Sequence, residues 1–193
     1  MKKLLTLLAL TISFSMNAQF WFQGTGSIAI QTHNATASGY FSTAMGYGTT
    51  ASGDFSTAMG FGTTGSGYAS TAMGAGTTAS GRTSTAMGQS TEASGDYSTA
   101  MGFDTQASGV VSTAMGLFTE ASGSYSTAMG NGSEASGFIS TAMGGSTTAS
   151  GYYSTAMGAG TTASDFGSLV IGQYNSSGSS VTSDATSFNI ANT

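Results

Sequence analysis

The amino-acid sequence predicts an all-β protein, a parallel β-solenoid with coils of 14 residues. Three observations predict it. The pentapeptide Ser-Thr-Ala-Met-Gly recurs nine times at a spacing of 14, from Ser42–Gly46 to Ser154–Gly158. Glycine recurs every seven residues from Gly39 to Gly158 without a miss. The remaining repeat positions hold mostly Ser, Thr and Ala, with aromatic residues at a few variable places. A short fixed period marks a stacked array, because one such unit cannot bury a face alone.

The repeat unit is A-S-G-x-x-S-T-A-M-G-x-x-[ST]-x, two similar halves of seven residues. A heptad raises the possibility of a coiled coil. Glycine in every heptad costs about 1 kcal/mol against Ala each time, and no a/d apolar seam is present. Two helices do not fit in 14 residues. Two short strands and two tight turns do, with Gly meeting the demands of the turns.

Taken in order, the chain divides into four parts. Residues 1–18 read as a secretory signal peptide. Lys2 and Lys3 precede the apolar run Leu4–Phe14, and Asn17-Ala18 is the cleavage point. The apolar run is too short to span a bilayer. Residues 19–36 form a lead-in segment. Within it Ser27-Ile28-Ala29-Ile30 resembles a worn first coil, one residue out of step. Residues 37–174 are the repeat array, worn at its last copy, where Ser168-Leu169-Val170-Ile171-Gly172 replaces the pentapeptide. Residues 175–193 are a tail rich in Ser, Asn and Thr, without heptads or alternating barrel strands. We read the chain as a head alone, or as a piece of a longer surface protein.

Composition narrows the function classes. Once Lys2 and Lys3 are removed, Arg82 stands alone against eight carboxylates, a net charge of −7. Such a chain repels nucleic acid and gains nothing from anionic lipid. There is no Cys, hence no disulfide, thiolate zinc site or lipid-bearing cysteine. The single histidine, His33, has no cluster of acids beside it in sequence, so no base is placed to activate a serine. Gly46-Tyr47-Gly48 is repeat punctuation and not a phosphate loop, because no helix follows it. The expectation is no enzyme, no cofactor and no metal.

Strand alternation sorts the side chains. A coil this short leaves a narrow interior, so Ser42, Ala44, Gly46, Thr49, Ala51 and Gly53 point inward. Thr43, Met45, Thr50 and Ser52 then point outward. The Thr50 position becomes Glu92, Gln106, Glu120 and Glu134 in later copies, so that face meets water. The Thr43–Met45 face carries no charge in any of nine copies. It exposes a ladder of Met45, Met59, Met73, Met87, Met101, Met115, Met129, Met143 and Met157. Beside it runs a ladder of Thr43, Thr57, Thr71, Thr85, Thr99, Thr113, Thr127, Thr141 and Thr155. An apolar strip of this length marks a contact surface between chains.

The turns vary while the rest is constant. Aromatic residues cluster there, with Tyr40, Phe41, Phe55, Tyr97, Tyr125, Phe138, Tyr152 and Tyr153 at one turn and Tyr47 at the other. These nine are the candidate ligand surface, because rigid aromatic rings lose little entropy on binding. Stacking on one another to stiffen the rod is the competing use.

S-x-A-x-G followed by A-x-G and x-x-S, on a 14-residue period, resembles the head repeats of trimeric autotransporter adhesins of the YadA-like, Hep/Hag type. The resemblance covers about 140 residues. It implies a left-handed parallel β-roll, three of which pack about a common axis as a homotrimer. It places the Thr and Met ladders named above at the trimer interface. The family's outward pair is usually Val and Ile, which survive here only in Ser27-Ile28-Ala29-Ile30 and Leu169-Val170-Ile171. The resemblance implies export to the cell surface or beyond, at the outer membrane if an anchor exists. It also implies adhesion to an extracellular matrix protein or cell-surface glycan. This segment itself inserts into no membrane. The alternatives are an ice- or crystal-binding solenoid, motivated by the Thr50, Thr64 and Thr78 ladder, and a purely structural spacer of a longer fibre.

Overall fold

A computed structural model describes residues 20–21 and 28–177. The signal segment expected at residues 1–18 and the tail after residue 177 lie outside the described residues. The described chain is a β-solenoid of parallel strands with no helix. Each coil has a strand of five residues and a strand of two, as in Thr43–Tyr47 and Thr50–Ala51. The longer strands run from Ile28–His33 through Leu169–Gln173 and stack into one sheet. The shorter strands run from Thr36–Ala37 through Ser176–Ser177 and stack into the second.

The register repeats the sequence. Thr85 pairs with Thr99, Ala86 with Ala100, Met87 with Met101 and Gly88 with Gly102. A shift of one residue would turn every side chain to the other face, so an identical repeat locks the pairing. The residue out of step upstream is absorbed locally. Ile28 pairs with Thr43 but His33 with Tyr47, and a bulge lies between Gln31 and His33. Phe20–Trp21 then pairs antiparallel with Ala29 and Ile30. That short strand occupies the N-terminal edge of the sheet, which would otherwise offer free backbone donors.

The interior is narrow. Ser42, Ala44, Thr49 and Ala51 are buried, as are their equivalents in every copy to Thr161 and Ala163. Threonine is the largest fully buried side chain. Many interior hydroxyls, Thr49, Ser56, Thr91 and Thr105 among them, have no hydrogen-bond partner. Others are engaged: Ser42 Oγ donates to the Gly39 carbonyl at 2.8 Å, and Thr147 Oγ1 to Ser133 Oγ at 2.9 Å.

One inward assignment is corrected. Strand alternation puts Gly46 inside with Ser42 and Ala44, but Gly60, Gly74, Gly88 and Gly102 at that position are exposed. Their φ values, +119 to +126°, break the side-chain alternation at the fourth residue of each five-residue strand. Glycine is required there twice over. A Cβ on Gly88 would strike the carbonyl oxygen of Gly102 in the next coil, and the backbone angle itself disfavours any other residue. Gly95, at the other repeat glycine, is buried, and a Cβ there would strike the carbonyl oxygen of Gly109.

Both turns place one residue in the left-handed region. At the Gly46 turn that residue is Gly48, Gly62, Gly76, Ser90, Asp104, Phe118, Gly132, Ser146 and Gly160 in successive coils. At the Gly39 turn it is Phe41, Phe55, Ala69, Thr83, Tyr97, Val111, Tyr125, Ile139 and Tyr153, with φ of 52–60°. From Phe55 and Gly62 onward the left-handed N–H donates to a carbonyl of the coil before. Phe55 donates to the Tyr40 carbonyl at 2.7 Å, and Tyr97 to that of Arg82 at 2.7 Å. Stacked coils are thus joined at their corners as well as along their strands.

Candidate assembly and binding surfaces

The outer face of the five-residue strands carries the methionines. Each Met from Met45 to Met157 is half-buried, as is each Thr from Thr43 to Thr155, while the Ala between them is fully buried. Successive methionines are register partners, so their side chains stand one strand spacing apart, about 4.8 Å. The last coil continues the strip with exposed Leu169 and Ile171. No charged side chain interrupts it from Thr43 to Ile171. The result is one strip without charge along the length of the rod.

The outer face of the two-residue strands is different. Glu92, Gln106, Glu120 and Glu134 are exposed, and Glu120 is the register partner of Glu134. Like charges so placed repel, and water covers them. A shallow depression of about 140 Å³ lies between Asp104, Gln106, Phe118, Thr119 and Glu120. It holds no nucleophile with a base. Among the described residues no three His, Cys, Asp or Glu side chains gather as metal ligands.

The turns form two aromatic ridges. On the ridge of the Gly39 turn, Tyr40, Phe41, Phe55, Tyr97, Tyr125, Tyr152 and Tyr153 are exposed, and Phe138 is half-buried. All of these rings but Tyr97 fall into two groups. Tyr40 lies 4.1 Å from Phe41 and 6.0 Å from Phe55, and Phe55 lies 5.5 Å from Tyr68. Arg82 caps that group, its guanidinium 5.7 Å from the Tyr68 ring centre. Phe138 is the hub of the second, at 5.7 Å from Tyr125 and 5.9 Å from both Tyr152 and Tyr153. Two acids fasten the backbone beneath this ridge: Asp54 Oδ1 accepts the Tyr40 N–H at 2.8 Å, and Asp96 Oδ1 that of Arg82 at 2.9 Å.

Tyr47 stands apart from the other candidates, on the opposite ridge. There it stacks on Phe61 with ring centres 5.3 Å apart and planes 9° from parallel. Phe103 and Phe118 meet edge to face further along at 5.6 Å. Tyr68, Phe61 and Phe166 are as exposed as the nine candidates; the sequence shows Tyr68 and Phe61 as turn aromatics outside that set, and Phe166 is the one it misses. Tyr68 and Phe166 occupy the Tyr40 turn position and Phe61 the Tyr47 position, so the 14-residue spacing itself is the signal that finds them.

A rod with constant strands and variable turns defines a solenoid repeat protein. The YadA head domain repeat matches residues 33–63, 66–91, 79–105, 93–119, 107–133, 121–137 and 135–161, and the chain belongs to that family. It is an adhesin-like head module. Among curated proteins the sequence finds no match.

Proposed function

We propose that the roll is the non-enzymatic adhesive head of an exported surface protein. It assembles as a homotrimer through the Thr and Met ladders and contacts its targets through the variable turns. The observation that carries this reading is the uncharged, half-buried Met strip running the length of the rod. Completing the burial of each methionine is worth about 1 kcal/mol, taking half of the ~1.5–3 kcal/mol for a full side chain. Nine rungs make that term large even after discounts for the entropy of association. Family membership supports a trimeric head exposed at the cell surface.

The seven acids of the rod against Arg82 alone leave neutral or basic partners as the favoured ones, a matrix protein or an uncharged glycan. The test is adhesion of beads coated with the intact protein to matrix proteins and to cells. Replacing Tyr40, Phe41, Tyr152 and Tyr153 by Ser should lower adhesion with assembly unchanged. Equal adhesion by both proteins would remove these turns from the binding surface. An ice-matching face is disfavoured by exposed Glu92, Glu120 and Glu134 in the middle of the threonine ladder, which spoil a flat regular surface.

A further inference from the structure

The two turns share one backbone conformation and fill it in opposite ways. At the Gly46 turn the left-handed position is mostly Gly, Ser or Asp, the residues that tolerate it. At the Gly39 turn it is a residue with a side chain in nine coils running, Phe41 to Tyr153, and glycine only at Gly167 in the last; in the C-terminal half it is Tyr97, Val111, Tyr125, Ile139 and Tyr153. A residue with a Cβ costs roughly 1 kcal/mol or more in that region. Five bulky side chains in succession, Tyr97 to Tyr153, held in a strained conformation point to a role for the side chains themselves.

Their order adds a second observation. Tyr97, Tyr125 and Tyr153 occur at every second coil, with branched aliphatic residues between them. All three are about half exposed, at 51, 53 and 49 %. Two coils advance the rod by about 9.6 Å, twice the strand spacing. The two nearer the C-terminus are buttressed: the Phe138 ring lies near perpendicular to both Tyr125, at 83°, and Tyr153, at 87°. On the other ridge the Tyr47 ring, equally exposed, lies parallel to Phe61 instead of perpendicular to its neighbour.

We infer that Tyr97, Tyr125 and Tyr153 form a linear platform for an extended, uncharged β-1,4-linked polysaccharide. In such a chain successive pyranose rings turn over, so the same apolar face returns once per disaccharide, a length that matches two coils. Each tyrosine then stacks on one ring face and its hydroxyl reaches the sugar edge. A rigid rod and rigid rings lose little freedom on binding, which suits a stiff polymer. The acidic rod favours a neutral chain over a sulfated or uronic one. The inference rests on the proposal that the turns are the binding surface, and it names the ligand for one stretch of them.

The test is calorimetric titration of the assembled protein with cellohexaose and chitohexaose, beside maltohexaose, whose α-linkage curls the chain. The parent should bind one or both β-linked hexasaccharides at least tenfold more tightly than maltohexaose. Tyr97→Ser with Tyr125→Ser should lower that affinity at least tenfold. The deciding variant is Tyr125→Val with Val111→Tyr, which keeps three tyrosines at positions of the same backbone conformation but breaks the two-coil step. It should lose binding as the serine variant does, with an unchanged circular dichroism spectrum. Equal affinity of parent and shifted variant would overturn the spacing argument. No binding of either β-linked hexasaccharide by a parent that still adheres to cells or matrix would overturn the inference and leave the adhesive head standing. Loss of adhesion to every surface, with no glycan binding, would sink both.

Discussion

Met87 and Met101 are register partners on adjacent parallel strands and stand half-buried outside the sheet, whereas Ala86 and Ala100 beside them are fully buried. Neighbouring positions of one strand therefore answer to opposite rules. Ala100→Leu should destabilise the roll by roughly 3 kcal/mol, because an interior no wider than threonine must be forced open. Met101→Leu should change stability by less than about 1 kcal/mol. Paired thermal melts check this, and a harmless Ala100→Leu would mean that the interior has room for more than threonine.

The two repeat glycines and the turn glycines should also separate. Gly95→Ala drives a methyl into the Gly109 backbone, and neither coil can yield without breaking its strand pairing. Each coil of such an array depends on its neighbours, so the variant should divide the rod and show two unfolding transitions, or none from a folded state. Gly62→Ala meets no atom within 4 Å and bears only the left-handed penalty, about 1 kcal/mol. Limited proteolysis near residue 95 in the first variant, absent in the second, is the expected readout.

Strain at the Gly39 turn is recoverable. Ile139 sits at φ 52°, where a branched side chain is disfavoured. Ile139→Asn should stabilise the protein by about 1 kcal/mol, a rise of roughly 3 °C in Tm. A fall of similar size would show that Ile139 packing outweighs the backbone term.

The interior hydroxyls divide by partner. Thr91 Oγ1 has none, so Thr91→Val should be neutral or stabilising by up to about 1 kcal/mol. Ser133 Oγ lies 3.0 Å from the Gly144 carbonyl and accepts from Thr147, so Ser133→Ala should cost about 1 kcal/mol or more. Urea denaturation of the two variants tests the contrast.

Most of this architecture is legible in the repeat. Ala44 and Thr49 inside and Met45 outside follow from a period of 14, a strand period of two and a coil too short for large residues. The misfit near Ile28 is visible as an extra residue, though not that a bulge absorbs it before His33. Two things are not legible. The exposure of Gly88 depends on a φ of +125°, which no spacing reveals. The left-handed placement of Phe41, Tyr97 and Val111 runs against residue preference; it follows from stacking on neighbouring corners, where the N–H of Val111 donates to the Asp96 carbonyl at 2.8 Å. The ligand face is legible only as variability, because binding chemistry lies in the turns and the repeat encodes the scaffold.

The central claim is that the Met strip is an interface between chains. Sedimentation equilibrium of purified residues 19–193, at micromolar concentration, tests it most directly. The account predicts a particle of three chains, and Met87→Glu with Met101→Glu and Met115→Glu should release folded monomers or drive aggregation. A soluble monomer from the unmodified protein would contradict it.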